Sequence, residues 1–179
     1  MFSTIASARF RFLEAQHGFE RILDDGRCLL FRKGDSVIRF THTRFDEVSM
    51  TLSQASRGTS FSPDLLVSLM DPAKGKTIRE MIVSGPDQID AALAEFEALL
   101  KAYGKRVLDN DVTVFNEMKA LSEAQSLGHE AQAIRHRAEE ALAAKDFGLA
   151  LREYRLLGKQ RTGLDSKRME MCERQVGEG

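Results

Sequence analysis

The chain has 179 residues, with 26 lysines and arginines against 27 aspartates and glutamates, 42% hydrophobic residues, two cysteines and no tryptophan. That length suits one domain, or one domain with a small appendage, and the apolar fraction excludes disorder over most of the chain. Balanced charge gives no general reason to hold a polyanion, so nucleic acid is not the expected partner.

The opening stretch, Met1 to Arg9, has no basic region followed by an unbroken apolar run, so no secretion signal is expected. No apolar run reaches the ~20 residues of a bilayer-spanning helix, and no membrane association is expected. Cys28 and Cys172 lie far apart in the chain. Without a secretion signal they read as free thiols, which points to a cytoplasmic protein.

The first segment predicts a helix capped by Ser3 or Thr4, with Ile5, Ala8, Phe12 and Ala15 at helical spacing and Gly18 as its stop. Phe10 and Leu13 widen its apolar face. The period then changes to two. Strands are predicted over 19–23, 27–33, 36–42 and 47–53, joined by turns at Asp24-Asp25-Gly26, Gly34-Asp35 and 43–46, as an antiparallel meander. Alternation puts Leu29, Phe31, Ile38, Phe40, Val48, Met50 and Leu52 on a core face. Cys28, Leu30, Arg32, Val37 and Arg39 fall on the other face. Apolar residues mixed with arginines there imply cover by another element, plain exposure, or a binding surface.

Residues 55–61 read as a loop, and Ser62-Pro63-Asp64 as a helix start. Within 72–84, the stretch Thr77 to Val83 fits a short strand or a helical turn. Ser84-Gly85-Pro86-Asp87 opens the clearest helix, carrying Ile89, Leu93, Phe96, Leu100 and Tyr103, and Gly104 closes it. Another helix is predicted from about Asp109, with Val114, Phe115, Met118 and Leu121 inward and Gly128 as a break. The chain thus divides into an α+β domain over 1–124 and a helical segment over 125–179. That segment predicts helices over 129–145, 147–158 and 165–175.

Catalytic signals are weak. Gly75-Lys76-Thr77 looks like the end of a phosphate-binding loop, but Met70 stands where the pattern requires glycine, so no nucleotide site is expected. His129 and His136 are seven apart, roughly 10 Å along a helix, which suits a solvated face better than a metal. His17 precedes Gly18, where an imidazolium favours the helix dipole. Asp24-Asp25 and Asp109-Asn110-Asp111 lack the calcium-loop spacing and read as turn and cap chemistry. Cys28 lacks an activating setting and reads as a semi-buried hydrophobe. His42 with Asp46 could form a general base, but no nucleophile is tied to it. No catalytic residue, metal ligand or cofactor is assigned, and a non-catalytic protein is expected.

Three resemblances add to this reading. The runs Arg11-Phe12-Leu13, His17-Gly18-Phe19 and Val37-Ile38-Arg39-Phe40, then Leu99-Leu100, Tyr103-Gly104, Val107-Leu108, Asp111 and Phe115, resemble small uncharacterised bacterial α+β proteins. Some of these are proposed as immunity proteins of polymorphic toxin systems. Type III secretion chaperones, which also open with a helix and antiparallel strands around an Asp-Gly turn, are a weaker resemblance. In the tail, Ala138, Phe147, Ala150 and Tyr154 resemble one 34-residue tetratricopeptide (TPR) repeat, although Thr162 stands near its usual proline and no second copy follows.

The expected architecture is therefore α+β: an N-terminal helix and β-meander packed on helices, then a TPR-like all-α segment. The resemblance implies a protein that neutralises a toxin or secreted effector by occluding it. An adaptor or secretion chaperone using the tail or the sheet face is the alternative. Arg32, Val37, Arg39, Arg44 and Tyr154 are the candidate partner contacts, and the mixed sheet face also suits a homodimer.

Overall fold

The amino-terminal segment folds as two helices, α1 (Phe2–Arg9) and α2 (Arg11–His17), hinged at Phe10 with φ −93° and ψ 12°. The computed structural model describes residues 1–74 and 81–177. The single helix expected here is corrected, and so is its inner face. Phe2, Ala6, Phe10 and Leu13 are buried, while Ala8 and Ala15 are exposed and Ile5 and Phe12 only half-buried. Burying two phenylalanines removes more apolar area from water than burying two alanines, and that difference sets the rotation. Neither Ser3 nor Thr4 caps α1; Gly18 does end α2, in the left-handed region at φ 69°.

The chain divides into two units, Met1–Ser122 and Glu123–Gly179. In the first, the meander forms as the alternation predicts: β1 (Glu20–Asp24), β2 (Cys28–Lys33), β3 (Ser36–His42) and β4 (Glu47–Gln54), all antiparallel. Two short strands complete the sheet. β5 (Thr59–Phe61) pairs with one side of β4, so the loop expected over 55–61 is corrected. β6 (Met81–Ile82) pairs with β4 near its start, through Glu47 and Val48. The Gly75-Lys76-Thr77 string lies outside the described residues.

Four helical elements complete this unit: α3 (Pro63–Met70), α4 (Pro86–Tyr103), α5 (Lys105–Leu108) and the first part of α6 (Thr113–Ala143). Pro63 and Pro86 both open helices, where a missing N–H costs nothing. The inward faces of β2, β3 and β4 meet Ile89, Leu93, Phe96 and Leu100 of α4, with Phe10 stacked on Phe40 at 3.8 Å between centroids. Arg106 organises the start of α6. It donates to Asp111 and Thr113 and holds Glu117 with two parallel bonds of 2.6 and 2.7 Å.

The break expected at Gly128 is also corrected, because α6 runs through it. One interior glycine costs about 1 kcal/mol relative to alanine, and the surrounding Glu, Gln, Ala and Leu outweigh it.

The second unit packs the latter part of α6 with α7 (Phe147–Leu156) and α8 (Gly163–Gly177), a 3-10 turn at Gly158–Gln160 lying between the last two. Its core holds Ile134, Ala138, Ala141, Ala150, Leu151, Tyr154, Leu157, Met169 and Cys172. Thr162 and Asp165 cap α8 reciprocally: Asp165 Oδ2 accepts from the Thr162 N–H at 2.8 Å, and Thr162 Oγ1 accepts from the Asp165 N–H at 3.2 Å. The architecture is α+β with a C-terminal helical segment.

Candidate functional site

The face of the sheet turned away from the core carries three of the five candidate residues. Strand alternation sends Leu29, Phe31, Ile38 and Phe40 inward, so Cys28, Leu30 and Arg32 of β2 and Val37, Arg39 and Thr41 of β3 must point outward. Register then fixes their neighbours. Arg32 lies opposite Val37, and Leu30 opposite Arg39. On the β4 side Val37 faces Ser53 and Arg39 faces Thr51. Arginine and aliphatic side chains therefore alternate like a checkerboard across two strands. Beyond them runs a hydroxyl stripe, in which Ser53 and Ser60 hydrogen-bond at 3.0 Å.

A shallow groove of about 260 Å³ crosses this face, lined by Ile22, Leu30, Arg32, Val37, Arg39 and Ser53 among others. Both arginines are exposed; Val37 is 8% exposed and forms the floor between them. Arg32 donates to the Gly34 carbonyl at 2.9 Å, and Glu20 stands across from it on β1. Burial pushes the Cys28 thiol pKa upward, which keeps it protonated and poorly nucleophilic at neutral pH.

The other two candidates lie elsewhere. Arg44 is exposed in the β3–β4 turn, its guanidinium 5.2 Å from the ring centre of Phe45. Tyr154 requires correction as a partner contact. It is fully buried, and Arg168 donates to its hydroxyl at 3.2 Å, so it serves the core of the second unit. Its helical spacing from Ala150 and Leu151, on the apolar stripe of α7, is the sequence signal that points to burial.

The remaining titratable groups are spread out. His42 Nε2 is 3.4 Å from Asp46 Oδ1 without hydrogen-bond geometry, and the imidazole packs 5.5 Å from the Phe2 ring. His136 and Glu140 form an exposed pair at 3.5 Å on α6. Asp25 Oδ1 accepts from the Arg27 and Cys28 N–H groups, and Asp111 Oδ1 from Thr113, which is turn and cap chemistry. Among the described residues no group of three or more His, Cys, Asp or Glu is gathered to hold a metal, and no helix is long and apolar enough to cross a membrane.

Some exposed apolar side chains escaped the sequence reading. Ile22 and Leu23 extend the outer face on β1, at 49% and 43% exposure, and Ile82 of β6 is 77% exposed beside Glu47. The β1–β2 register shifts between Arg21 and Leu23, and a bulge of this kind has no signature in a five-residue strand. No protein family, curated protein or solved structure matches this chain.

Proposed function

We propose that this chain is a non-catalytic, cytoplasmic protein that binds another protein through the outer face of its sheet. The observation that carries this reading is the checkerboard of Arg32, Val37, Leu30 and Arg39, exposed arginines set against an apolar floor. Protein interfaces combine such arginines with an apolar centre, and the guanidinium supplies both charge and flat contact area. By the resemblance drawn from the sequence, the partner is a toxin or secreted effector that the chain occludes.

Affinity capture from the organism that encodes the chain tests this. The wild-type protein should retain a specific partner, and Arg39→Glu should lose it. Equal recovery by both proteins would remove the outer face from the interaction.

A second reading, an adaptor acting through the TPR-like tail, is favoured by a different observation. Leu156, Leu164 and Met171 of the helical unit are 63%, 58% and 44% exposed. In that case Leu164→Asp, and not Arg39→Glu, should release the partner.

A further inference from the structure

Building on the outer-face reading, we infer that this face takes an acidic, extended segment of a partner protein, with one carboxylate seated on Arg39. Eight positions surround Arg39 on the face. Leu30 and Thr51 lie across from it, and Val37 and Thr41 lie along its own strand. Cys28, Arg32, Ser49 and Ser53 occupy the diagonals, about 7–8 Å away by sheet geometry. None of the eight is a carboxylate, and the nearest charge of known sign in this ring is a second cation, Arg32.

Arg39 forms no hydrogen bond or ion pair among the described residues. Its arrangement contrasts with other arginines of the first unit. Arg9 holds Asp90 and Glu97, Arg21 holds Glu14, and Arg106 holds Asp111 and Glu117. For these three arginines the unit supplies the acid, whereas Arg57 is held by the Asn116 amide and Arg32 by the Gly34 carbonyl.

The neighbours of Arg39 define the complementary ligand. A guanidinium takes a carboxylate through two parallel N–H donors, and Thr51 and Ser49 add hydroxyl donors beside it. Leu30, Val37 and Ile22 supply apolar surface on the side toward β1, along the groove. A segment alternating acidic and aliphatic side chains meets both requirements. A nucleic acid is a poorer fit, since the face offers no aromatic platform for bases and only two cations for phosphates.

The test uses the full chain, labelled with nitrogen-15, and three probes at low salt: a blocked extended peptide alternating glutamate and valine, its glutamine counterpart, and a short single-stranded oligonucleotide. The glutamate peptide should shift the amides of Leu30, Val37 and Thr51 and the Arg39 Nε–H resonance saturably. Its affinity should exceed that of the glutamine peptide about tenfold, and Arg39→Gln should abolish the difference.

Equal binding of both peptides at this face would overturn the carboxylate assignment and leave face-mediated protein binding standing. Stronger binding of the oligonucleotide at the same resonances would overturn the choice of a protein ligand. No perturbation of the face by any probe overturns the inference. The outer-face reading falls with it only if Arg39→Glu also captures partner as well as wild type.

Discussion

Asn110 closes over Gly34. Both backbones are left-handed, at φ 60° and 55°, and the Asn110 amide fills the space that a Cβ on Gly34 would occupy. Its Oδ1 accepts the N–H groups of Asp35 and Ser36, each at 3.1 Å, and Lys33 Nζ donates nearby to the Leu108 carbonyl at 2.8 Å. The α5–α6 junction is thereby fastened to the tip of the β2–β3 hairpin, which presents Arg32 and Val37 on its outer side.

Gly34→Ala should accordingly lower stability by about 2 kcal/mol or more, through an unfavourable positive φ and a contact of 2.5 Å with Asn110 Nδ2. Asn110→Ala should cost about 1–2 kcal/mol in lost hydrogen bonds. The double variant should fall short of the sum, because removing the amide also removes the clash. Urea midpoints of the four proteins give the comparison; strict additivity would contradict the contact.

Asp165 is 1% exposed, yet its pKa is lowered. Desolvation is the largest single influence and raises it; the Thr162 N–H and hydroxyl and Arg135 together outweigh that. An acid satisfied by so many donors leaves them orphaned when truncated. Asp165→Ala should destabilise the helical unit by about 2–4 kcal/mol, followed by circular dichroism during urea unfolding.

Asp111 has a pKa lowered to about 2, through the Thr113 hydroxyl first, then Arg106 and the Thr113 N–H. An unfolded aspartate titrates near 3.9, so this carboxylate stabilises the fold fully above that value. The contribution disappears as pH falls from about 4 to about 2. Stability measured across that window should slope less steeply in Asp111→Asn than in wild type, with the two slopes equal above pH 5. Identical slopes would show that the Arg106 cluster does not carry the linkage.

Arg39→Ala should leave the unfolding free energy measured in urea within about 0.5 kcal/mol of wild type, since the side chain is exposed and makes no hydrogen bond or ion pair among the described residues. Loss of partner binding in this variant therefore reports on recognition. A large loss of stability would mean that Arg39 serves the fold.

Both cysteines are free, Cys28 half-buried and Cys172 fully buried, and burial raises both thiol pKa values. A thiol reagent at neutral pH should modify Cys28 slowly in the native protein and Cys172 only at the rate of unfolding. Two native thiols reacting at the same rate would contradict the packing of α8.

Much of the first unit was legible because its signals are local. Val48, Met50 and Leu52 alternate with Ser49, Thr51 and Ser53, and that alternation alone separates the core face from the outer one. Pro63, Pro86 and Gly18 mark helix ends through backbone chemistry that needs no distant partner. The candidate face was readable to the same extent: Arg32, Val37 and Arg39 follow from period two. Their checkerboard needed the register, which the two-residue Gly34-Asp35 turn sets.

Other features depended on distant contacts. β5 and β6 have three and two residues, too short for a periodic signal, and exist because the edge of β4 not taken by β3 is free to pair at both of its ends. Phe10 turns inward at the price of a helix break because Phe40 waits there to stack on it. Tyr154 shares the apolar stripe of α7 with Ala150 and Leu151, and its complete burial comes from α6, α7 and α8 enclosing that stripe.

Local signals along the chain specify the α+β class, the strand faces, most helix starts and the presence of arginines among aliphatic residues on one side of a sheet. These rest on sterics, capping and alternation within a few residues. Tertiary structure decided which arginines are consumed and which remain. Arg9 finds its carboxylates far along the chain on α4, and Arg21 and Arg106 find theirs nearer in sequence, whereas the strand register surrounds Arg39 with none. Charge balance along a chain is a sum over residues, but ion pairing depends on distances of a few ångströms that only the folded arrangement creates.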